Sequence, residues 1–590
     1  MDSDLEECEL SVFSASLPLI HIQVTDEKTH TMAPTEELME LRKQLEIKIR
    51  RHQIRHTVLS RTLNSRLPVS SLPDELIVKV IRSYQESSLH VTTSHTSQAE
   101  FDRFTWWWLI PSHVCHRWRM ITLSNSLLWC YVDDSVFSKH DVLYLALHRS
   151  CQSPLDISII HKTDRPHIFN WPKAYIKEEK ESLRRIFEES HRIRTLRLQM
   201  DPTLIESQLS NNINLAPFSI LQDLDLKLCF PFKAGTSALS PIFRSPLSNL
   251  RNLRLEGTHI PWEMIETLPM ALTTLHLEFI YGNPGKTAED ILSLVERFQQ
   301  LQYLCLVNLP VNRRARTSEK TICLPLLKEL ILSHENTLNP LVIMRGLNLR
   351  PGMTKVSLKI PMSPTVVLPV SFQSIFSKFD SSHLSCDADP QHLMEADVSF
   401  CAEGNSETLS SLVFRTTATH AVGAWPLHFK FSLFYDDEME DWQQDSPIWV
   451  DFLQAASQAV CPWLGSIMYI GSYMPISSKT FAQTLSNAQH LHKLVMQHSS
   501  SIMPYLETLR ASPDNTVPFP QLRRIELHHR ASFITGGIDG GVIYEILKGR
   551  REKGSILEWF EVDGGYEVFF PTSDIRTRLA ELVDHLRLPP

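Results

Sequence analysis

Several things are scarce or missing in this 590-residue chain. No unbroken apolar run reaches the roughly eighteen residues that a membrane-spanning helix needs. The start, Met1-Asp2-Ser3-Asp4-Leu5-Glu6-Glu7, is acidic, unlike the basic opening of a signal peptide. Positive charge is not in excess: 58 Lys and Arg stand against 67 Asp and Glu, net −9. That balance argues against a general nucleic-acid binder. The ten cysteines never form a C-x-x-C pair, which leaves zinc-ribbon and thioredoxin-type sites unsupported. No Asn-x-Ser/Thr acceptor occurs. Reduced, buried thiols in the cytoplasm or nucleus fit this pattern.

Catalytic motifs are missing too. There is no Gly-x-Ser-x-Gly elbow and no His-Glu-x-x-His. Gly282-Asn283-Pro284-Gly285-Lys286-Thr287 ends like a phosphate loop, but the leading Gly is replaced by Ile280. Without it the ring of backbone N–H donors is incomplete. An inter-element loop ahead of a helix at 287–298 is expected instead. Gly536-Gly537-Ile538-Asp539-Gly540-Gly541 precedes a helical stretch at 542–548 but lacks dinucleotide-loop spacing. His490/His492 and His528/His529 have no Cys or carboxylate at metal-ligand spacing. No catalytic residue, cofactor or metal is therefore expected, and the chain reads as a non-enzyme. The acidic cluster 436–441 and the basic Arg313-Arg314-Ala315-Arg316 read as solvated loops that can meet a partner of opposite charge.

The length implies two or more domains or one long repeat array. Residues 1–32 read as loosely ordered. Residues 33–66 read as a helix, from Thr35 to about Arg61, and a linker. Leu38, Leu41 and Leu45 make a short seam on that helix, and Lys43, Lys48, Arg50, Arg51 and Arg55 make it basic. It is expected to be a solvated helix leading into the next module.

That module occupies 67–135. Pro73 suits a first helical position, and Asp74 and Glu75 complement the helix dipole. Leu76, Ile77, Val80 and Ile81 then form one apolar stripe. Later, Ser112 is placed to cap a helix on which Val114, Trp118 and Ile121 share a face. Leu127-Leu128-Trp129 follows the turn cluster Ser124-Asn125-Ser126. The order Leu-Pro-x-Glu, then Val-Cys-x-x-Trp-Arg, then Leu-Trp resembles the F-box, and in particular the F-box-like proteins of mushroom-forming fungi. The segment Leu147-His148-Arg149-Ser150-Cys151-Gln152-Ser153-Pro154-Leu155 is similar to one that often follows the box there. A Ser-, Thr- and His-rich insertion at 82–105 departs from the compact form, and Trp106-Trp107-Trp108 after it reads as core packing. The resemblance implies an α-helical module that docks on a Skp-type adaptor through Leu72, Pro73, Leu76, Ile77, Val114, Cys115, Trp118, Leu128 and Trp129. Some of these must instead pack the module internally.

Beyond residue 150 a Leu-x-x-Leu-x-Leu unit recurs. Its central residues are Leu196, Leu224, Leu253, Leu275, Leu304, Leu330 and Val356. They are spaced 28, 29, 22, 29, 26 and 26 apart, close to the leucine-rich-repeat period. Each unit predicts a short strand, and stacked units bury a common core. The array is placed at 136–361, a loop or junction at 362–395, and a degenerate continuation with a helical cap at 396–590. Later units are centred on Leu412, Met468, Leu494, Ile525 and Phe560, and the cap on Asp574 to Leu588.

The expected fold is α/β: a helical F-box module followed by an irregular leucine-rich-repeat solenoid of short parallel strands and helices. The resemblance implies a substrate-recognition subunit of a Skp–cullin–F-box ubiquitin ligase. Its partners are the adaptor, through it a cullin scaffold, and a protein target held by the repeats, with no nucleic acid and no membrane. The alternative is a repeat scaffold without ligase association.

Overall fold

The computed structural model describes residues 35–91, 110–160, 173–200 and 216–228, and most of 240–362. It also describes the strands at 394–403, 407–416, 428–436 and 464–471, and most of 477–588. Among the sequence expectations, residues 1–32, the insertion from 92 on with the three tryptophans, Gly282 to Gly285, Arg313 to Arg316, residues 437–441 and most of 362–395 lie outside these. The described chain falls into two compact units. One holds residues 35–91 and 110–122; the other starts at Leu123. No helix of either is long and apolar enough to cross a membrane.

The first unit is helical. Helix α1 spans Thr35–Ser65, four residues beyond its expected end, and carries Glu36 and Glu37 in its first turn. A 3-10 turn over Pro68–Ser71 leads into α2, Asp74–Val91. The stripe continues one turn further through Gln85, and no breaker intervenes. The helix therefore runs ten residues into the segment expected to be an insertion. Its buried positions, Ile77, Ile81 and Gln85, follow at i, i+4, i+8. The second helical piece is split at Cys115 into α3, Ile110–Val114, and α4, His116–Ser124. Ser112 sits inside α3, buried, rather than at the start of a helix; its carbonyl accepts from Arg119 Nε at 3.0 Å.

The second unit is mixed α/β and built on one large, mostly parallel sheet. Its first nine strands are β1 (Tyr131–Asp133), β2 (Leu155–Ile160), β3 (Ile193–Met200), β4 (Asp223–Leu228), β5 (Asn252–Glu256), β6 (Thr274–Glu278), β7 (Tyr303–Val307), β8 (Glu329–Ser333) and β9 (Lys355–Met362). They lie side by side in chain order, all parallel. The seven central residues of the sequence repeat are direct partners across seven strands, Leu196 beside Leu224, then Leu253, Leu275, Leu304, Leu330 and Val356. The last Leu of each unit forms a second such row, and both rows are almost fully buried. Each buried leucine contributes on the order of 2 kcal/mol against exposure. Repetition extends to the backbone entering each strand. Gln222 N–H donates to Arg194 O, Thr273 to Arg251, Gln302 to Thr273, Lys328 to Gln302 and Thr354 to Lys328, each at 2.8 Å.

The exits repeat as well. Gly257, Phe279 and Asn308 each follow a strand by one residue and each has positive φ, 66°, 48° and 50°. Their N–H groups donate to the end of the next strand, at Glu278, Val307 and Ser333. At Gly257 a Cβ would lie 2.6 Å from the carbonyl oxygen of Leu228, so glycine is required there.

The rhythm then changes. Strands β10 (Met394–Glu403), β11 (Glu407–Thr416) and β12 (His428–Asp436) form an antiparallel meander in reversed order. It is β12 that pairs with β9, in parallel, while β10 pairs in parallel with β13 (Leu464–Gly471). Three antiparallel strands leave the outer two pointing the same way, so the parallel sheet resumes beyond them. The unit centred on Leu412 is thus not a continuation of the repeat: its strand runs against its neighbours. Strands β14 (Lys493–His498), β15 (Arg524–His528), β16 (Trp559–Val562) and β17 (His585–Arg587) complete the sheet. There Leu494, Ile525 and Phe560 align as expected, but the partner of Leu494 on β13 is Ile467, not Met468. The C-terminal helix is shorter than expected, Ser573–Leu582, and gives way to β17.

Candidate protein-docking site

Helices α2 and α4 of the first unit are fastened by a residue the sequence pattern passed over. Arg117, on α4, donates through Nη2 to the carbonyl of Leu72 at 2.6 Å and through Nε to Asp74 Oδ1 at 3.1 Å; Nη1 reaches the carbonyl of Ser70. One guanidinium thus binds both the turn before α2 and its first acidic residue. The signal was an unpartnered acid in the first turn of α2 and a base one position before Trp118.

Burial sorts the nine candidate residues. Ile77 and Ile81 are fully buried and Ile121 nearly so, which makes them core residues. Leu76 and Val80, one position along from the buried pair, are 43% and 50% exposed. Pro73 is exposed, and Leu72, Cys115 and Trp118 are half-buried. Val114 is exposed, and so are Ile110 and Met120 nearby in sequence. The Trp118 Nε1–H is enclosed with no acceptor. The stripe on α2 therefore has two halves. Ile77 and Ile81 serve the fold; Leu76 and Val80 leave apolar surface that the unit itself does not use.

Leu128 and Trp129 belong elsewhere. Both lie in the second unit, on a 3-10 turn (Ser126–Trp129) just before β1, at 2% and 1% exposure. The Arg149 guanidinium stacks over the Trp129 ring at 5.3 Å and donates to Leu123 O at 2.6 Å. Next to it, Ser150 Oγ accepts from Arg192 at 2.9 Å. Arg192, itself buried, also binds the carbonyls of Leu147 and Ser153 and the Glu189 carboxylate. The Arg149-Ser150 pair therefore ties the start of the sheet together. A residue this enclosed cannot anchor a partner without local opening, so the surface contracts to Leu72, Pro73, Leu76, Val114, Cys115 and Trp118, joined by Val80.

The outer face of the sheet offers a second surface. Positions between the buried leucines carry Arg197, Asp225, Arg254 and His276 in one row, and Lys227, Glu256 and Glu278 in the next. Arg254 bridges Asp225 at 3.8 Å and Glu256 at 3.3 Å. Burial pushes the Asp225 carboxyl up, against the pull of Arg254. A hydrogen bond from His276 holds Glu278 below the usual carboxylate range.

Cys305 beside His276 and Glu278 has the composition of a nucleophilic triad but not its geometry. His276 Nε2 is 2.9 Å from Glu278 Oε2 and 3.7 Å from Cys305 Sγ, so one nitrogen faces both groups. A base needs one nitrogen held by the acid and the other free for the thiol. Burial also pushes the thiol up to about 12, far from the thiolate. No group of three His, Cys, Asp or Glu among the described residues has metal-site geometry.

A second charged cluster lies on β14 to β17. Arg524 stacks on Trp559 at 4.4 Å, Lys493 pairs with Glu526 at 3.3 Å, and Arg587 pairs with Glu561 at 2.8 Å. The repeat pattern placed its leucines and said nothing of these outward residues. No protein-family model matches the chain, and no curated protein matches it.

Proposed function

We propose that the chain is a substrate-receptor subunit of a Skp–cullin–F-box ubiquitin ligase. The observation that carries this reading is the surplus apolar stripe, Leu76 and Val80 beside Pro73, on a helix whose other stripe already satisfies the core. It sits within the residues that resemble the F-box, where the adaptor contact is expected. The second unit supports the other half of the reading. Aligned leucine rows match a leucine-rich-repeat arm, and the outward rows supply the mixed charge and aromatic residues that favour specific protein recognition. The chain performs no bond-making step in this reading; it holds a target beside the ligase.

The test is co-expression with a fungal Skp adaptor and size-exclusion chromatography of the product. A stoichiometric complex is expected. Leu76→Glu with Val80→Glu should weaken it by on the order of 100-fold, as hot-spot losses of about 2–4 kcal/mol imply. No complex from well-folded protein would overturn the assignment and favour the scaffold reading. One feature favours that alternative: residues 92–109 separate α2 from α3, where a compact box has a short connection.

A further inference from the structure

We infer that α1 is a self-association surface that pairs, antiparallel, with α1 of a second copy of the chain. The inference does not rest on the ligase reading. Helix α1 is 31 residues long, about 46 Å, and nearly every side chain along it is exposed. At 100° per residue, Leu38, Leu41, Leu45 and Ile49 fall on one narrow face. His52, His56, Leu59 and Leu63 continue that face to the other end. The six aliphatic residues are 50% to 64% exposed. Short helices in water gain little from such residues, whereas a paired helix buries them. The average step along the face is near 3.6 residues, which suits two nearly straight helices.

Self-complementarity identifies the occupant. A two-fold axis between Arg50 and Arg51 sets Leu38 against Leu63, Leu45 against His56 and Ile49 against His52. Leu41 falls one position from Leu59. A surface that matches itself in this way is what an isologous dimer needs. Charge selects the direction. Glu36, Glu37, Glu40 and Glu46 lie in the first half, offset by Arg42, Lys43, Lys48 and Arg50, so that half is near neutral. Arg51, Arg55 and Arg61 lie in the second, which has no acidic residue. Those three arginines have no carboxylate partner among the described residues. A parallel pair would set the arginine-rich halves side by side and stack each histidine on its own copy. The antiparallel pair sets each basic half against a near-neutral one and each histidine against an aliphatic residue.

Sedimentation velocity of the full chain tests this, with a dimer of twice 67.8 kDa expected. Leu45→Glu with Leu59→Glu should raise the dimer dissociation constant by at least about 100-fold. His52→Leu with His56→Leu should lower it, since a polar seam residue costs stability. Direction is read by oxidative cross-linking against the unsubstituted chain as background. A Leu38→Cys chain mixed with a Leu63→Cys chain should cross-link, and neither alone. A wild-type chain that stays monomeric at about 100 μM, or a dimer indifferent to Leu45→Glu with Leu59→Glu, overturns the pairing. Cross-links of each variant with itself overturn the antiparallel direction.

Discussion

The two units use leucine in opposite ways. In the sheet, the leucines of each repeat stack in rows with almost no exposure, and polar residues occupy the outward positions. In the helical unit, a single helix carries Ile77 inside and Leu76 outside, one residue apart. A parallel strand array buries its repeated apolar rows through its own neighbours. A short helix pair has too few neighbours to cover two stripes. Leftover apolar surface on a small helical unit therefore points to a partner, while a charged sheet face points to selective recognition.

The sharpest way to break this contrast is to shorten a row leucine. Leu275→Ala removes a fully buried side chain between Leu253 and Leu304 and should cost about 3 kcal/mol, within the usual range of 2–5. Urea unfolding of the full chain measures it, and a loss under about 1 kcal/mol would mean the rows are loosely packed.

Gly257→Ala comes next. It places a Cβ against the Leu228 carbonyl at a φ of 66° and should cost about 2 kcal/mol. The same unfolding measurement should show it, and no change would mean that this strand exit adjusts freely.

A smaller effect separates the polar face from the core. Glu278 has a lowered carboxyl pKa in the folded state, so its bond to His276 stabilises the fold above the unfolded carboxylate value and is lost as pH falls through the folded one. Glu278→Gln should cost about 1 kcal/mol at pH 7, with the gap to wild type shrinking as pH falls below the ordinary glutamate range. Asp225 has the opposite shift, because burial disfavours its charge, so Asp225→Asn should be close to neutral at pH 7. Equal losses for both substitutions would contradict the separate causes assigned to them.

The smallest stability effect is expected where the functional effect is large. Leu76→Ala should change folding stability by under about 0.5 kcal/mol, since its side chain is 43% exposed, yet weaken adaptor binding. A stability loss comparable with that of Leu275→Ala would return Leu76 to the core and remove it from the docking surface.

Much of the sheet was legible. The spacing of Leu196 through Val356 identified seven strands, because a strand that buries one face needs apolar residues at a period of two and stacking needs them at equal depth. Strands β1 and β2 were missed, although Leu155, Ile157 and Ile159 alternate plainly; they lack the repeat's leading leucine. The meander was misread, because Leu409-x-x-Leu412-x-Phe414 has the right letters and only strand pairing reveals its direction. At the candidate docking surface, residue types were legible and their orientation was not. Leu128 and Trp129 are adjacent in sequence to the second helix but fall in the sheet's own unit.

By itself, then, the sequence determined the leucine rows, the register between repeats, the helix α1 and the absence of catalytic motifs. These are local or periodic properties, set by side-chain chemistry at fixed spacing. Tertiary structure alone decided which half of the α2 stripe faces outward, that Arg117 clamps α2, that Trp129 is buried in the second unit, and that three strands follow in reversed order, the middle one antiparallel, before the parallel sheet continues. Each of those depends on which segments meet across dozens of residues, and no local spacing encodes that meeting.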